Sequence, residues 1–567
     1  MLKDFFSKKN RSFNALNAAQ FLGALNDNMF KLLAVFLIIN LKGDEYASTI
    51  LATAGAVFVI PYILLSSASG VLSDRFSKRT IIITMKFFEV LITGFSILAF
   101  GFKSELWLYL LLFALGTQAT LFAPAKYGII PELVPEEKVS KANGLLTSFT
   151  YLAIILGTFL GSFLADITHK NFLGTSWACF LIGIAGFLAS IFVGKTNAPK
   201  TTNKIKALFF VEIYKTLALS YKREHLLPSI FGSAFFLFIG AFVQLNIIPF
   251  AIESLKLTEI QGGYLFLATA IGIALGSLLA GKISKDRVLP GLSCIAGFFI
   301  AFFFLMLYLF SDYFLPVCII LVLLGIFGGL FLIPFDSFIQ IASPNARRGQ
   351  IIGATNFLSF IGVLFASFLL YLFSDVLYLS AASGFAFMGL LTFLFSVITA
   401  GRLSDLFLPY LTQKILMHFS PYKLSSLPST QSLIILKKGN WKDAFMLFAL
   451  LPKLKIITLR KKLFAFPYIN GLASSLGVIS EFNHPEETEH WLLKLSNHMK
   501  KRDTYICLFL EDVKTRENWL EEMQKIAGNQ FNDVVFVHLE HAWTKKRIMK
   551  ISFTQMQTSV YFTDKPL

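Results

Sequence analysis

Charged and amide side chains standing inside long apolar runs are the residues of this sequence best placed to do chemistry. Asp27 lies in FLGALNDNMFK between Asn26 and Asn28, with Lys31 four positions on and so on the same helix face. A carboxylate held within a bilayer costs ~3 kcal/mol unless it is paired or hydrated. Two readings follow: Asp27 and Lys31 form a structural ion pair, or the Asn-Asp-Asn cluster lines a path for a polar substrate, with Lys31 or Lys126 placed to attract an anionic group on it. Lys126 also reads as a charge at the membrane surface that sets topology. Gln244, Asn246 and Asp336 are further polar positions in apolar segments, either on the path or hydrogen-bonding between helices. Lys86 and Glu89, one turn apart, read as a structural pair. In Gly70-x-x-x-Asp74-Arg75-x-x-Lys78-Arg79 the glycine suits close helix packing, and the acid and bases suit a charge network that holds one conformation and releases another. The plainer alternative is a basic topogenic loop. No metal-ligand spacing, cofactor motif or acidic chain of a proton relay is present, so neither a cofactor nor ion coupling is expected.

These residues need a membrane to stand in, and the composition supplies one. Of 567 residues 55% are hydrophobic and only 15% charged, against about 25% charged in soluble domains; mean hydropathy is +0.66. Apolar segments at about 14–40, 47–72, 80–101, 105–124, 142–165, 172–194, 228–252, 261–282, 288–311, 313–341, 350–374 and 377–401 predict twelve transmembrane helices. The basic start is followed by a full-length span, so no removable signal peptide is expected. Cys179, Cys294, Cys318 and Cys507 sit in apolar runs and read as free thiols.

Lys and Arg collect in alternate connections: Lys3 to Arg11, Arg75 to Arg79, Lys126 to Lys141, Lys282 to Arg287, and Arg347 with Arg348. The opposite connections hold only Lys42, Lys103, Lys170 and Lys256. The positive-inside rule then places both termini in the cytoplasm. The net charge of +17 becomes an orientation marker with anionic membrane lipids as partners, and nucleic acid is not expected.

A polar, basic linker at 195–227 divides the spans into halves, about 1–194 and 228–402, of a domain 1–402. The string PAKYGIIPELVPEEKVSKANGLLTSF from Pro124 has a partner, PFDSFIQIASPNARRGQIIGATNFLSF, from Pro334, at an offset of 210 residues. GVLSDRFSKR from Gly70 has a weaker one, GKISKDR, from Gly281. The fold class expected is an all-α polytopic membrane protein, two parallel six-helix repeats followed by a cytoplasmic α/β domain.

The Gly70 to Arg79 segment resembles the signature between the second and third helices of the major facilitator superfamily. FLGALNDNMFK and GTQATLFAPAKYGIIPELVPEEKVSKANGL resemble the lysophospholipid transporter family within it, most specifically at Pro124 to Gly128 and Ala142-Asn143-Gly144. That resemblance implies movement of lysophosphatidylethanolamine-like lipids from the outer to the inner leaflet of the bacterial inner membrane by alternating access. Alternatives are a general solute or drug exporter on the same scaffold, or a transporter that is also an acyltransferase.

Residues 403–567 carry +7 of the net charge, lack a spanning run, and alternate strand-like with helical stretches. SLIILKKGNWKDAF resembles the glycerolipid acyltransferase family, in which a His five residues before an Asp is the general base. Trp441 and Asp443 remain here, but Lys438 stands at the histidine position, and a solvated ammonium cannot take a hydroxyl proton. Glu511-Asp512 stands where the family has Glu-Gly. The resemblance therefore implies a pseudoenzyme, with reacylation left to a separate acyl-carrier-protein synthetase or acyltransferase. The literal match His498 to Asp503 ends an amphipathic helix pattern and lacks the family's context.

Overall fold

The computed structural model describes residues 11–196, 209–284, 287–403 and 406–407, together with six β-strands further on. By internal packing the chain divides into two compact units, Met1–Thr399 and Ala400–Leu567.

Among the described residues twelve helices are long and apolar enough to cross a membrane. They are α1 (Arg11–Lys42), α2 (Ala47–Arg75), α3 (Lys78–Gly101), α4 (Glu105–Gly128), α5 (Val139–Ile167) and α6 (Phe172–Ile191) in the first half. The second half holds α7 (Leu226–Glu253), α8 (Glu259–Ser284), α9 (Pro290–Leu309), α10 (Phe314–Ala342), α11 (Arg348–Tyr371) and α12 (Ala381–Arg402). Their outward faces are rich in exposed Leu, Phe and Ile, as lipid contact requires and water forbids. Pro124 and Pro334 lie inside α4 and α10, so the sequence repeat is also a structural one. Within the linker expected at 195–227 a further helix runs from Phe209 to Tyr221.

Within the first half α1 packs on α5 and α2 on α4; in the second, α7 packs on α11 and α8 on α10. The halves meet along two seams, α2 with α11 and α5 with α8. Lipid offers no hydrophobic drive for helices to associate, so such seams depend on small residues that let backbones approach. A Cβ added at Gly144 would stand 2.4 Å from the carbonyl oxygen of Ser277, and one at Gly353 would stand 2.4 Å from that of Ser66. Both crossings lie toward the helix ends that carry the loops at 76–77, 129–138 and 343–347, and they close that end of the bundle.

The described strands of the second unit are β1 (Tyr422–Leu424), β2 (Ser432–Lys437), β3 (Leu454–Ile457), β4 (Tyr505–Leu510), β5 (Asp533–Glu540) and β6 (Met549–Gln555). They form one sheet in the order β1-β6-β5-β2-β4-β3, parallel except where β5 meets β6. Lys438, Trp441, Asp443, Glu511 and Asp512, and the His498 to Asp503 match, lie outside the described residues.

Candidate functional site

A cavity of about 1060 Å³ empty volume, part of it open to solvent, lies between the halves. Its charged lining is Asp27 of α1, Lys86 of α3, Lys126 of α4 and Asp336 of α10. Apolar side chains, among them Phe122, Leu237, Leu332, Ile352 and Phe360, line the rest. The chamber is thus amphipathic.

The two lysines converge on one ring: Nζ of Lys86 lies 5.2 Å from the centroid of Phe122 and Nζ of Lys126 lies 5.8 Å from it. Lys126 also stands 4.4 Å from the ring centroid of Tyr127. Their electrostatic situations differ. Nζ of Lys86 is 2.6 Å from Glu89, and Asn26 donates to the other oxygen of that carboxylate at 3.3 Å. Lys126 is 8% exposed and takes no part in the ion pairs Lys42–Glu105, Lys78–Glu132 and Lys86–Glu89. Aromatic faces hold its ammonium in place while leaving its charge available to an anion.

Two carboxylates face the same space. Oδ1 of Asp27 is buried without a hydrogen-bond partner. Asp336 accepts a hydrogen bond from the Ser233 hydroxyl at 2.6 Å. The 210-residue offset relating Pro124 to Pro334 also relates Lys126 to Asp336, so the two halves present opposite charges from equivalent positions.

Of the eight path candidates, Asp27, Lys126 and Asp336 line the cavity. The others do not. Asn26 belongs to the Lys86–Glu89 cluster, and Asn28 donates to the carbonyl of Ala24 in its own helix at 2.7 Å. Lys31 makes no ion pair with Asp27; its Nζ sits 5.9 Å from the centroid of Phe58. Gln244 is exposed on α7 without being among the lining residues, and Asn246 ties α7 to α12 by donating to the carbonyl of Ala381 at 2.8 Å. One-turn spacing fixes which residues share a face, but where that face points depends on the packing of α1 against α5 and α6.

Lys86 pairs with Glu89 as their spacing predicts and lines the cavity as well; Gln20, Tyr62, Gln118, Gln340 and Asn356 are lining residues that sequence reasoning misses. Neutral amides in apolar helices carry no distinguishing spacing. Gln340 was accessible only through Asn143: the two amides exchange hydrogen bonds at 3.0 and 2.9 Å across the halves, and Asn143 also donates to Ser337 at 3.0 Å.

The Gly70 to Arg79 segment divides its work. A Cβ at Gly70 would meet the Gly349 carbonyl oxygen at 2.7 Å, and Asp74 accepts the backbone N–H groups of Gly349 and Gln350. Lys78, fully buried, pairs with Glu132 at 2.5 Å. Arg79 donates to the carbonyls of Val193 and Ile191 at 2.7 and 3.0 Å, capping the end of α6. Arg75 is exposed. Gly70 and Asp74, with Ser73 beside them, reach Gly349 of the other half.

The chain is 29% identical over 354 residues to the lysophospholipid transporter LplT of Escherichia fergusonii, which covers 61% of this chain and 83% of the relative. It is 29% identical over 347 residues to that of Citrobacter koseri, covering 60% and 81%. Its fold is similar to that of the human organic anion transporter MFSD10, with TM-score 0.56 and 13% identity over 69% of this chain and all of the other. The E. coli fucose:proton symporter FucP gives 0.54 and 16%, covering 69% and 99%. Residues 16–367 match the family profile of the Major Facilitator Superfamily; with twelve membrane-crossing helices in two repeats around a central cavity, the chain belongs to that superfamily.

Proposed function

We propose that the protein carries lysophospholipid from the outer to the inner leaflet of the bacterial inner membrane by alternating access, with both termini cytoplasmic. The observation that carries this reading is Lys126, a buried cation facing an amphipathic cavity with no carboxylate within ion-pair distance among the described residues. A lysophospholipid supplies what that site lacks. Its phosphate goes to Lys126 and Lys86 around Phe122, and an ethanolamine ammonium goes to Asp336 and the unsatisfied Asp27 oxygen. Its acyl chain lies along the apolar wall.

The relatives named as lysophospholipid transporters support the substrate class. In the orientation taken from the basic loops, the seams close the cytoplasmic end, so the cavity belongs to the state that receives substrate from outside. Residues 403–567 serve no acyl transfer in this reading, because Lys438 replaces the general base.

Reconstitution into vesicles with fluorescent lysophosphatidylethanolamine tests the function. Inward movement above that of empty vesicles, lost in Lys126→Gln and partly kept in Lys126→Arg, is expected. Movement no faster than in empty vesicles, with a soluble solute carried instead, overturns it.

A further inference from the structure

The helix Phe209–Tyr221 stands on the outside of the α2–α11 seam. Ile213 is buried with Ala354 and Phe357 of α11, and Ile63 of α2 packs against the same cluster beside Phe209 and Leu217. The rings of Phe209 and Phe357 are 6.1 Å apart. The neighbours of these residues face the other way: Tyr62 on α2, and Thr355, Asn356 and Phe360 on α11, line the cavity. The rings of Tyr62 and Phe360 stack across the seam at 4.1 Å. The seam thus has the cavity on one side and this helix on the other.

The free face of the helix is unlike a surface made for water. Phe210, at the edge of that face with its ring 5.7 Å from that of Phe357, is 59% exposed, and Tyr214 and Tyr221 are 73% and 72% exposed. Val211 and Leu219 are exposed with them, and Lys215 is the exposed charge on that face. Lys222 and Arg223 follow directly, both exposed. An apolar, aromatic face bordered by basic residues at the end of a membrane bundle fits the boundary between acyl chains and anionic headgroups. It is also continuous with the lipid-facing surface of the spans.

We propose that the helix Phe209–Tyr221 lies in the leaflet at the loop-bearing end and seals the α2–α11 seam from that leaflet. It packs on α7 and α11 of the second half, to which residues 222–225 join it directly, and on α2 of the first. When the halves part at this end, the helix travels with α11 and leaves α2. For a lipid substrate, a clause that rests on the function proposed above, the seal makes release through this seam depend on that separation.

Two measurements on the full-length protein, in vesicles of phosphatidylethanolamine and phosphatidylglycerol, decide this. Cysteines at Val211→Cys and Tyr214→Cys are labelled by a charged maleimide present on both faces, read above the wild-type background. Thiolate is the reactive form and is suppressed in lipid, so labelling about tenfold slower than at Lys222→Cys is expected; equal rates overturn the membrane placement. A short bis-maleimide then joins Phe209→Cys to Ile63→Cys, or to Phe357→Cys. Only pairs that transport before cross-linking are scored. The first cross-link is expected to arrest transport and the second to leave it running; arrest by both or by neither overturns the seal. If the unaltered protein moves no lysolipid, the substrate reading fails, while the labelling still decides where the helix lies.

Discussion

Asp74 of α2 accepts the backbone N–H of Gly349 in the first turn of α11 at 2.7 Å, joining the two halves through a helix terminus. Its second oxygen takes the N–H of Gln350 at 2.9 Å. The opening turn of a helix has unsatisfied N–H groups and a partial positive charge, and a carboxylate from the opposite half answers both. The contact exists only while the α2–α11 seam is shut. Asp74→Asn keeps the volume and one acceptor but removes the charge, a loss of about 1–2 kcal/mol. The closed population should fall about five- to thirtyfold relative to the open one. Spin labels at Arg75→Cys and Arg347→Cys, both exposed positions, should show a longer-distance population; an unchanged distribution would remove Asp74 from the gate.

Gly144 and Gly353 let backbones touch at the two seams, each leaving a Cβ only 2.4 Å from a carbonyl oxygen of the opposite half. In Gly144→Ala or Gly353→Ala the obstacle is backbone, which no rotamer change can remove. Each variant should be displaced from the closed state with its six-helix halves intact, losing most transport while purifying at wild-type yield. Normal transport by either variant would show that its seam closes less tightly than described.

The Asn143–Gln340 pair is the polar counterpart of those contacts, with bonds of 3.0 and 2.9 Å in opposite directions. Truncating one partner strands the other's buried amide, at about 1–3 kcal/mol. Removing both should cost less than the sum. A double-mutant cycle with Asn143→Ala and Gln340→Ala, read as unfolding midpoint in detergent, should therefore be non-additive by ~1 kcal/mol. Strict additivity would mean the amides act independently.

The architecture was legible because bilayer thickness writes itself into the sequence as runs of about twenty apolar residues. The repeat was legible because Pro124 and Pro334 lie inside equivalent helices. The site was only partly so. Asp27, Lys126 and Asp336 stand out as charges in apolar surroundings, and all three reach the cavity. Lys31 carries the same signal, yet it faces Phe58. Burial of a charge announces itself in one dimension, but the direction a helix face points is set by neighbours far along the chain.

Lys86 and Glu89 form the most buried ion pair among the described residues, 2% and 1% exposed at a separation of 2.6 Å. Removing one partner of such a pair leaves an uncompensated charge and costs about 3–5 kcal/mol. Glu89→Ala should therefore lower the unfolding midpoint markedly, and it also strands the amide of Asn26. If the midpoint is unchanged and only transport falls, the pair serves the cavity rather than the fold.

Asp336 stands at the position equivalent to Lys126, so the proposed site is polarised, with phosphate toward the first half and ammonium toward the second. Ser233 already donates to Asp336 at 2.6 Å, which orients the carboxylate and leaves acceptor capacity on its oxygens. Asp336→Asn preserves that shape and the serine contact while removing the charge that attracts an ammonium. A charge-assisted hydrogen bond contributes about 1.5–3 kcal/mol. Transport of lysophosphatidylethanolamine should fall accordingly, at least about tenfold. Lysophosphatidylglycerol, which has the same phosphate but no ammonium, should lose much less. Competition between the two lipids in one vesicle preparation gives the ratio directly, free of differences in protein content. An equal fall for both would assign Asp336 to the scaffold, leaving Asp27 as the remaining carboxylate in the cavity able to recognise the ammonium.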